Sequence, residues 1–141
     1  MNESHRSTSP TTRTLKKGTI LKNLLGLIPD RKKARFHKKL ETTLLDVYEA
    51  IGGIDLAVID GTYTYLGPTI DKRTNSNVLL VGRDAVAVES VGAVLVGLNP
   101  EKMPVIREAV NRGLGVGDIE RIEVLGSTIE SLKEKMHLPS K

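Results

Sequence analysis

"VIDGTYTYLGPT", residues 58–69, decides how this chain is read. An apolar run ends there in Asp60-Gly61, and a polar stretch carrying Tyr63 and Tyr65 follows. The run begins at Ile54 as "IDLAVID", short and rich in β-branched residues. That pattern predicts a strand buried on both faces, which favours a parallel sheet. "NVLLVG", 77–82, has the same character. If the two strands run parallel, Asp60 and Asp84 share the carboxyl edge of the sheet, where open α/β sheets bind ligands. Between them, Gly61 to Asn77 reads as a long loop without helical or strand period, and loops of that length are usually functional or disordered.

Working outward, Phe36, Leu40, Leu44, Val47, Tyr48 and Ile51 recur at spacings of three and four, which predicts a helix over 31–51 ended by Gly52-Gly53. "DAVAVESVGAVLVGL", 84–98, is apolar nearly all round and reads as a buried helix with Asp84 as N-cap. Glu89, its lone acid, is expected to mark the wet stripe, because an unpaired buried carboxylate is costly. Asn99 and Pro100 open a short turn, and Pro104 starts a helix that ends at Gly113. "RIEVLG", 121–126, alternates like a half-exposed strand. Ser127 and Glu130 form a capping-box pattern for a last helix to about His137. The expected fold is an α/β layered domain with a small, mostly parallel sheet flanked by helices. Residues 1–14 read as a disordered polar tail and 15–141 as a single domain. So narrow a sheet asks for an extra strand near 17–21, or for a partner.

The sequence has no cysteine, so it forms no disulfide and holds no iron–sulfur cluster on its own thiolates. With one Phe and no Trp, the core must be aliphatic. No apolar run approaches the roughly 20 residues of a membrane span, and the start lacks a secretory apolar segment; a soluble, cytoplasmic protein is expected. Residues 1–40 hold 11 Lys and Arg against 2 acids, while residues 41–141 hold 10 against 15. The basic excess therefore belongs to the first third of the chain, where it serves an anionic partner or simply solvation.

Asp60 and Asp84 are the candidate site residues. Two carboxylates at one edge can hold a divalent metal or handle a proton. Asp-Gly is also ordinary turn chemistry, and Asp at an N-cap is ordinary helix chemistry. Tyr63 and Tyr65 alternate as strand residues do and either line a pocket or cover the sheet edge. "GLGVGD", 113–118, is not the dinucleotide fingerprint, because its glycines follow a helix and precede a strand. There is no Walker loop, zinc cluster or nucleophile elbow, and His5, His37 and His137 are scattered. The basic run around His37 reads first as a solvated helix face; nucleic-acid binding lacks interleaved aromatics.

"LKNLLGLIPDRKKARFH", "LAVIDG", "VLLVGRDAVAVESVGAVLVGL" and "RGLGVGDIERIEVLG" stand in an order that resembles the family called domain of unknown function 362, over about residues 18–126. The resemblance implies an α/β domain found in bacteria and archaea beside ferredoxin-like iron–sulfur modules. It also implies that this chain is the C-terminal part of the family domain. Lys22, Asn23, Gly26, His37, Asp60, Gly61, Gly67, Pro68, Asp84, Ala87, Val88, Gly113 and Gly115 match its pattern. Ala85 stands where the family has Pro, and Glu89 where it has Asp. On this basis Lys22, Asn23 and His37 are expected to contact an anion, with Gly61 beside Asp60 and Asp84 holding a metal or proton.

Three functions are carried forward. One is binding of a small anionic or metal-chelating ligand at the sheet edge, in work with an iron–sulfur redox protein. Another is a non-catalytic interaction domain, half of a divided protein, docking to a partner or to itself. The third is weaker: nucleic-acid binding through residues 13–39. The sequence does not decide whether the protein is an enzyme.

Overall fold

The structure, a computed structural model, describes residues 6–8, 20–30, 32–65 and 73–136. Among them the sheet has three strands in the order β1-β2-β3: β1 (Arg6–Thr8), β2 (Ala57–Tyr65) and β3 (Arg73–Gly82). Five α-helices accompany it: α1 (Ile20–Asn23), α2 (Leu40–Ala50), α3 (Ala85–Leu95), α4 (Pro104–Asn111) and α5 (Ile129–Met136). The fold is α/β, but the sheet is not mostly parallel. β1 runs parallel to β2, while β2 and β3, its two long strands, pair antiparallel. The apolar runs could not reveal this, because an apolar run records neither strand direction nor how many faces are covered, and here one face packs on helices while Leu79 and Val81 of the other are exposed, not buried as expected.

The expected long loop is largely strand. β2 continues through Tyr65 and β3 begins at Arg73, so Tyr63 pairs with Asn75 and Thr64 with Thr74. The alternation of Tyr63 and Tyr65 is strand alternation after all. Gly67, Pro68 and Asp71 lie outside the described residues. A register shift between Gly61 and Tyr63 marks a bulge in β3, where Ser76 and Asn77 face the single Thr62, and Asn77 takes φ 49°, a left-handed conformation that Asn tolerates. Arg6–Thr8 lies within the segment read as a polar tail. An added strand near 17–21 is not found at its described end, where Ile20 and Leu21 begin α1.

One face of the sheet packs on helices. Ala57, Ile59, Val78 and Leu80 point inward toward α3, which carries Val86, Val88, Val91 and Leu95. Leu40, Leu44 and Leu45 of α2 join Ile20, Leu21 and Leu24 in the larger apolar cluster. The expected helix over 31–51 is split: 33–39 is a 3-10 helix and only Leu40–Ala50 is α-helical. Its stripe is buried at Leu40, Leu44 and Tyr48, but Ile51 is exposed. The other face of the sheet, which carries Leu79 and Val81, is open, with these side chains 64% and 56% exposed.

α2 and α4 are joined by Arg112, whose guanidinium donates to Asp46 and Glu49 at 2.8 Å and to Glu108 at 2.9 Å. The hydrogen bond to Asp46, then that to Glu108, raise its pKa further and keep it charged.

Burial pushes the Tyr48 phenol above its ordinary 10.0; a hydrogen bond with the Ile54 backbone opposes this and the Asp84 charge adds to it. The unfolded phenol therefore ionises first on raising the pH. Tyr48 contributes stability that is complete below pH 10.0 and lost as the pH climbs through and beyond that value. Urea midpoints measured from about pH 8 to about pH 11 should fall, and Tyr48→Phe should flatten part of that fall. An unchanged slope in the variant counts against the assignment.

Candidate functional site

Asp60 lies inside β2, opposite Leu79, and not at a sheet edge. Its Oδ1 accepts from the Thr62 N–H at 2.9 Å and from the Thr62 hydroxyl at 2.6 Å. That hydroxyl, then the N–H, hold its carboxyl below the usual carboxylate range. The bonds lie on β2 opposite the bulge of β3, so Asp60 fixes the local backbone there. Gly61 is needed at the same place for a different reason: a Cβ there would lie 2.9 Å from the Val78 carbonyl oxygen of the paired strand.

Asp84 is the N-cap of α3, as expected. Its Oδ1 accepts from the Ala87 N–H at 2.9 Å. Its Oδ2 accepts from the Val116 N–H at 2.8 Å, which the sequence did not suggest. One carboxylate thus ties the start of α3 to the loop after α4. The glycines of "GLGVGD" serve this approach. A Cβ on Gly115 would collide with Asp84 Oδ1 and stand 2.7 Å from Val86 Cβ. Loop geometry, and no nucleotide, accounts for the motif.

The two acids do not meet. Ala57 pairs with Gly82, so Asp84 lies past one end of the β2–β3 ladder, while Asp60 sits three pairs along it. Three steps are about 10 Å of strand. Asp60 also shares the outward face with Leu79, whereas Asp84 turns inward to cap α3. The shared mouth expected from parallel strands is therefore absent, for the simple reason that the strands run in opposite directions. Among the described residues no group of three or more His, Asp or Glu side chains could hold a metal.

Lys22 and Asn23 end α1, which packs on α2 and α3. Neither Asp60 nor Asp84 forms an ion pair with Lys22. His37 falls in the 3-10 helix 33–39, and its side chain lies outside the described residues. The expected set of Lys22, Asn23, His37, Asp60, Gly61 and Asp84 is thus not gathered into one site among the described residues.

Glu89 overturns another expectation. It is 1% exposed, not the wet stripe of α3. Its Oε2 accepts from the Ile20 N–H at 2.7 Å and the Leu21 N–H at 3.1 Å, the first free donors of α1. A carboxylate distant in sequence thus caps a helix whose own sequence supplies no described cap. The signal available beforehand was a lone acid in an otherwise apolar helix, which burial with partners explains as well as exposure does.

A groove of about 370 Å³ lies between β3, the first turns of α3 and residues 122–125, and Asp84 is among the residues that line it. Ala87, Val88 and Val91 form its floor, and Leu79, Val81 and Leu125 stand at its rim. Arg83 and Glu123, both exposed, flank it. In the stretch 121–126, expected as a strand, Ile122 has an extended backbone, but residues 122–125 carry no regular secondary structure and join no sheet among the described residues. The final helix begins one residue later than the expected cap: the Thr128 hydroxyl, not Ser127, accepts from the Ser131 N–H at 3.2 Å.

The family model for the domain of unknown function DUF362 matches residues 12–94, well over half of the chain, and the chain belongs to that family. The match runs through β2, β3 and nearly all of α3, and stops before residues 122–125. Comparison with curated proteins and with solved structures returned no match. Among the described residues no helix is long and apolar enough to cross a membrane.

Proposed function

We propose that this member of the DUF362 family is a docking domain, and that the groove between β3 and residues 122–125 receives a protein partner. One observation carries the reading: three large apolar side chains, Leu79, Val81 and Leu125, stand exposed around a single groove, Leu125 at 82%. Apolar surface gathered around a concavity marks interaction sites more often than scattered exposure does. A ferredoxin-like partner, suggested by the family, is one candidate for the groove.

The test is retention of proteins from cell extract on the immobilised chain, compared with Val81→Asp and Leu125→Asp. Both side chains are exposed, so the fold should survive, as circular dichroism can verify. A set of proteins held by the wild type and lost from both variants supports docking. Identical sets on all three remove it.

A second reading uses the same groove for a small anionic or metal-chelating ligand. It is favoured by the groove's volume, which falls in the range of about 300–1,000 Å³ typical of small-molecule sites, and by the exposed Arg83 beside it. Titration with inorganic phosphate or a divalent metal against wild type and Arg83→Ala distinguishes it, since only this reading expects saturable binding.

A further inference from the structure

The basic excess of the first third of the chain takes a definite form in the structure. Residues 31–39 hold six Lys and Arg, and no acid stands between Asp30 and Glu41. Lys33–Lys39 form a 3-10 helix, in which side chains three apart stand in line at about 6 Å. Arg35 and Lys38 therefore share one row. Lys32, whose carbonyl accepts from the Arg35 N–H at 3.2 Å, leads into it, and Lys39 follows Lys38. All four side chains are exposed. Of the four, only Arg35 has an ion pair among the described residues, with Asp30, so Lys32, Lys38 and Lys39 carry no counter-charge there. A merely solvated helix face gains from alternating acids and bases, whereas like charges this close repel.

An apolar turn adjoins the row. The 3-10 turn Leu24–Leu27 runs into Ile28 and Pro29, with Leu27 41% exposed and Pro29 exposed. The Asp30 carboxylate fastens this turn to the row: one oxygen accepts from the Lys32 N–H at 2.7 Å, and the other pairs with the Arg35 guanidinium. Exposed apolar residues and unpaired cations are thus held side by side. Residues 41–141 have 10 Lys and Arg against 15 acids, so the rest of the molecule has the opposite sign.

We propose that residues 27–39 hold this protein on the surface of a bilayer that contains anionic lipid. Lys32, Arg35, Lys38 and Lys39 meet the lipid headgroups, and Leu27 and Pro29 enter the boundary between headgroups and acyl chains. Such attachment joins electrostatic attraction to a small buried apolar area, is reversible, and needs no spanning helix. The acidic remainder is repelled by the same surface, which turns this segment toward it. Nucleic acid, another polyanion, fits less well. It offers phosphates to the cations but nothing to an exposed apolar turn. Phe36 is half-buried, with the Arg35 guanidinium 4.8 Å from its ring centre, and so is not free to stack on a base. None of these residues lines the groove at β3, so the docking reading stands or falls separately.

The test is sedimentation of the full chain with vesicles of phosphatidylcholine alone and of phosphatidylcholine mixed with phosphatidylserine. Binding is expected to the mixed vesicles only. It should weaken as salt rises from about 0.1 M to about 0.5 M, because screening shortens the reach of exposed charges. Lys38→Glu combined with Lys39→Glu should lower the partition onto mixed vesicles at least about ten-fold, and Leu27→Asp should lower it several-fold. These side chains are exposed, so circular dichroism should match the wild type. Equal sedimentation of the doubly reversed variant and the wild type overturns the proposal, as does no sedimentation with mixed vesicles. Unchanged binding by Leu27→Asp overturns the bilayer as partner and leaves a plain polyanion contact, which saturable binding of a mixed-sequence RNA oligonucleotide would then identify. Val81→Asp should bind the mixed vesicles as the wild type does, whatever it does to retained proteins.

Discussion

Glu89→Ala is expected to lower the free energy of unfolding by about 3–5 kcal/mol, the largest loss of any single substitution considered for this chain. The side chain is buried, and its Oε2 accepts from both Ile20 and Leu21. Alanine leaves those two N–H groups facing an apolar hole, and each unsatisfied buried donor costs about 1–3 kcal/mol. Glu89→Gln keeps an acceptor oxygen but loses the charge that strengthens the bonds, so a loss of about 1–2 kcal/mol is expected. Urea denaturation measures both. Hydrogen exchange adds a signature of mechanism: protection should vanish first at residues 20–27, the segment that Glu89 anchors. A loss below about 0.5 kcal/mol in the alanine variant, the size of a surface substitution, would sink the assignment.

Gly115→Ala should cost about 2–4 kcal/mol, through collision with Asp84 and the loss of its cap on α3. The contrast with Gly92→Ala makes the prediction sharp. A Cβ on Gly92 would stand 2.6 Å from Ile59 Cδ1, a closer approach than the 2.7 Å to Val86 Cβ at Gly115. Yet Cδ1 is the far tip of a flexible side chain and can swing away, and alanine gains helix propensity of about 1 kcal/mol at an interior position. The net effect at Gly92 is expected within about 1 kcal/mol of zero. At Gly115 the obstacles are a carboxylate with two backbone bonds and a branch carbon fixed to the α3 backbone, neither of which yields. Thermal denaturation of the two variants compares them directly, and similar losses would contradict the distinction.

Much of the local structure was legible in the sequence, because it rests on short-range chemistry. Asp84 caps α3, Asn99 caps the turn before Pro104, and Gly113 ends α4 with Leu114 N–H donating to Ala109. What failed was direction and distance. "IDLAVID" and "NVLLVG" look alike whichever way they run, and the polar stretch between them hid the continuation of both strands. The site built on Asp60 and Asp84 failed with that choice. Glu89 and the Asp84 bond to Val116 were out of reach for another reason: each joins residues far apart in sequence, and no periodicity records such a pair. Residues 122–125 show the converse, a strand pattern without a ladder, since the pattern records which side chains are buried and not which backbones are bonded.

The wall formed by residues 122–125 also limits how many chains can associate through the β3 edge of the sheet. An uncovered edge can recruit a strand, and the newcomer normally exposes a fresh edge for the next, the route by which fibres grow. Here a molecule entering beside β3 would meet a barrier on its far side and leave no template behind it. Addition would stop after a single step, giving a closed pair in place of an open-ended polymer.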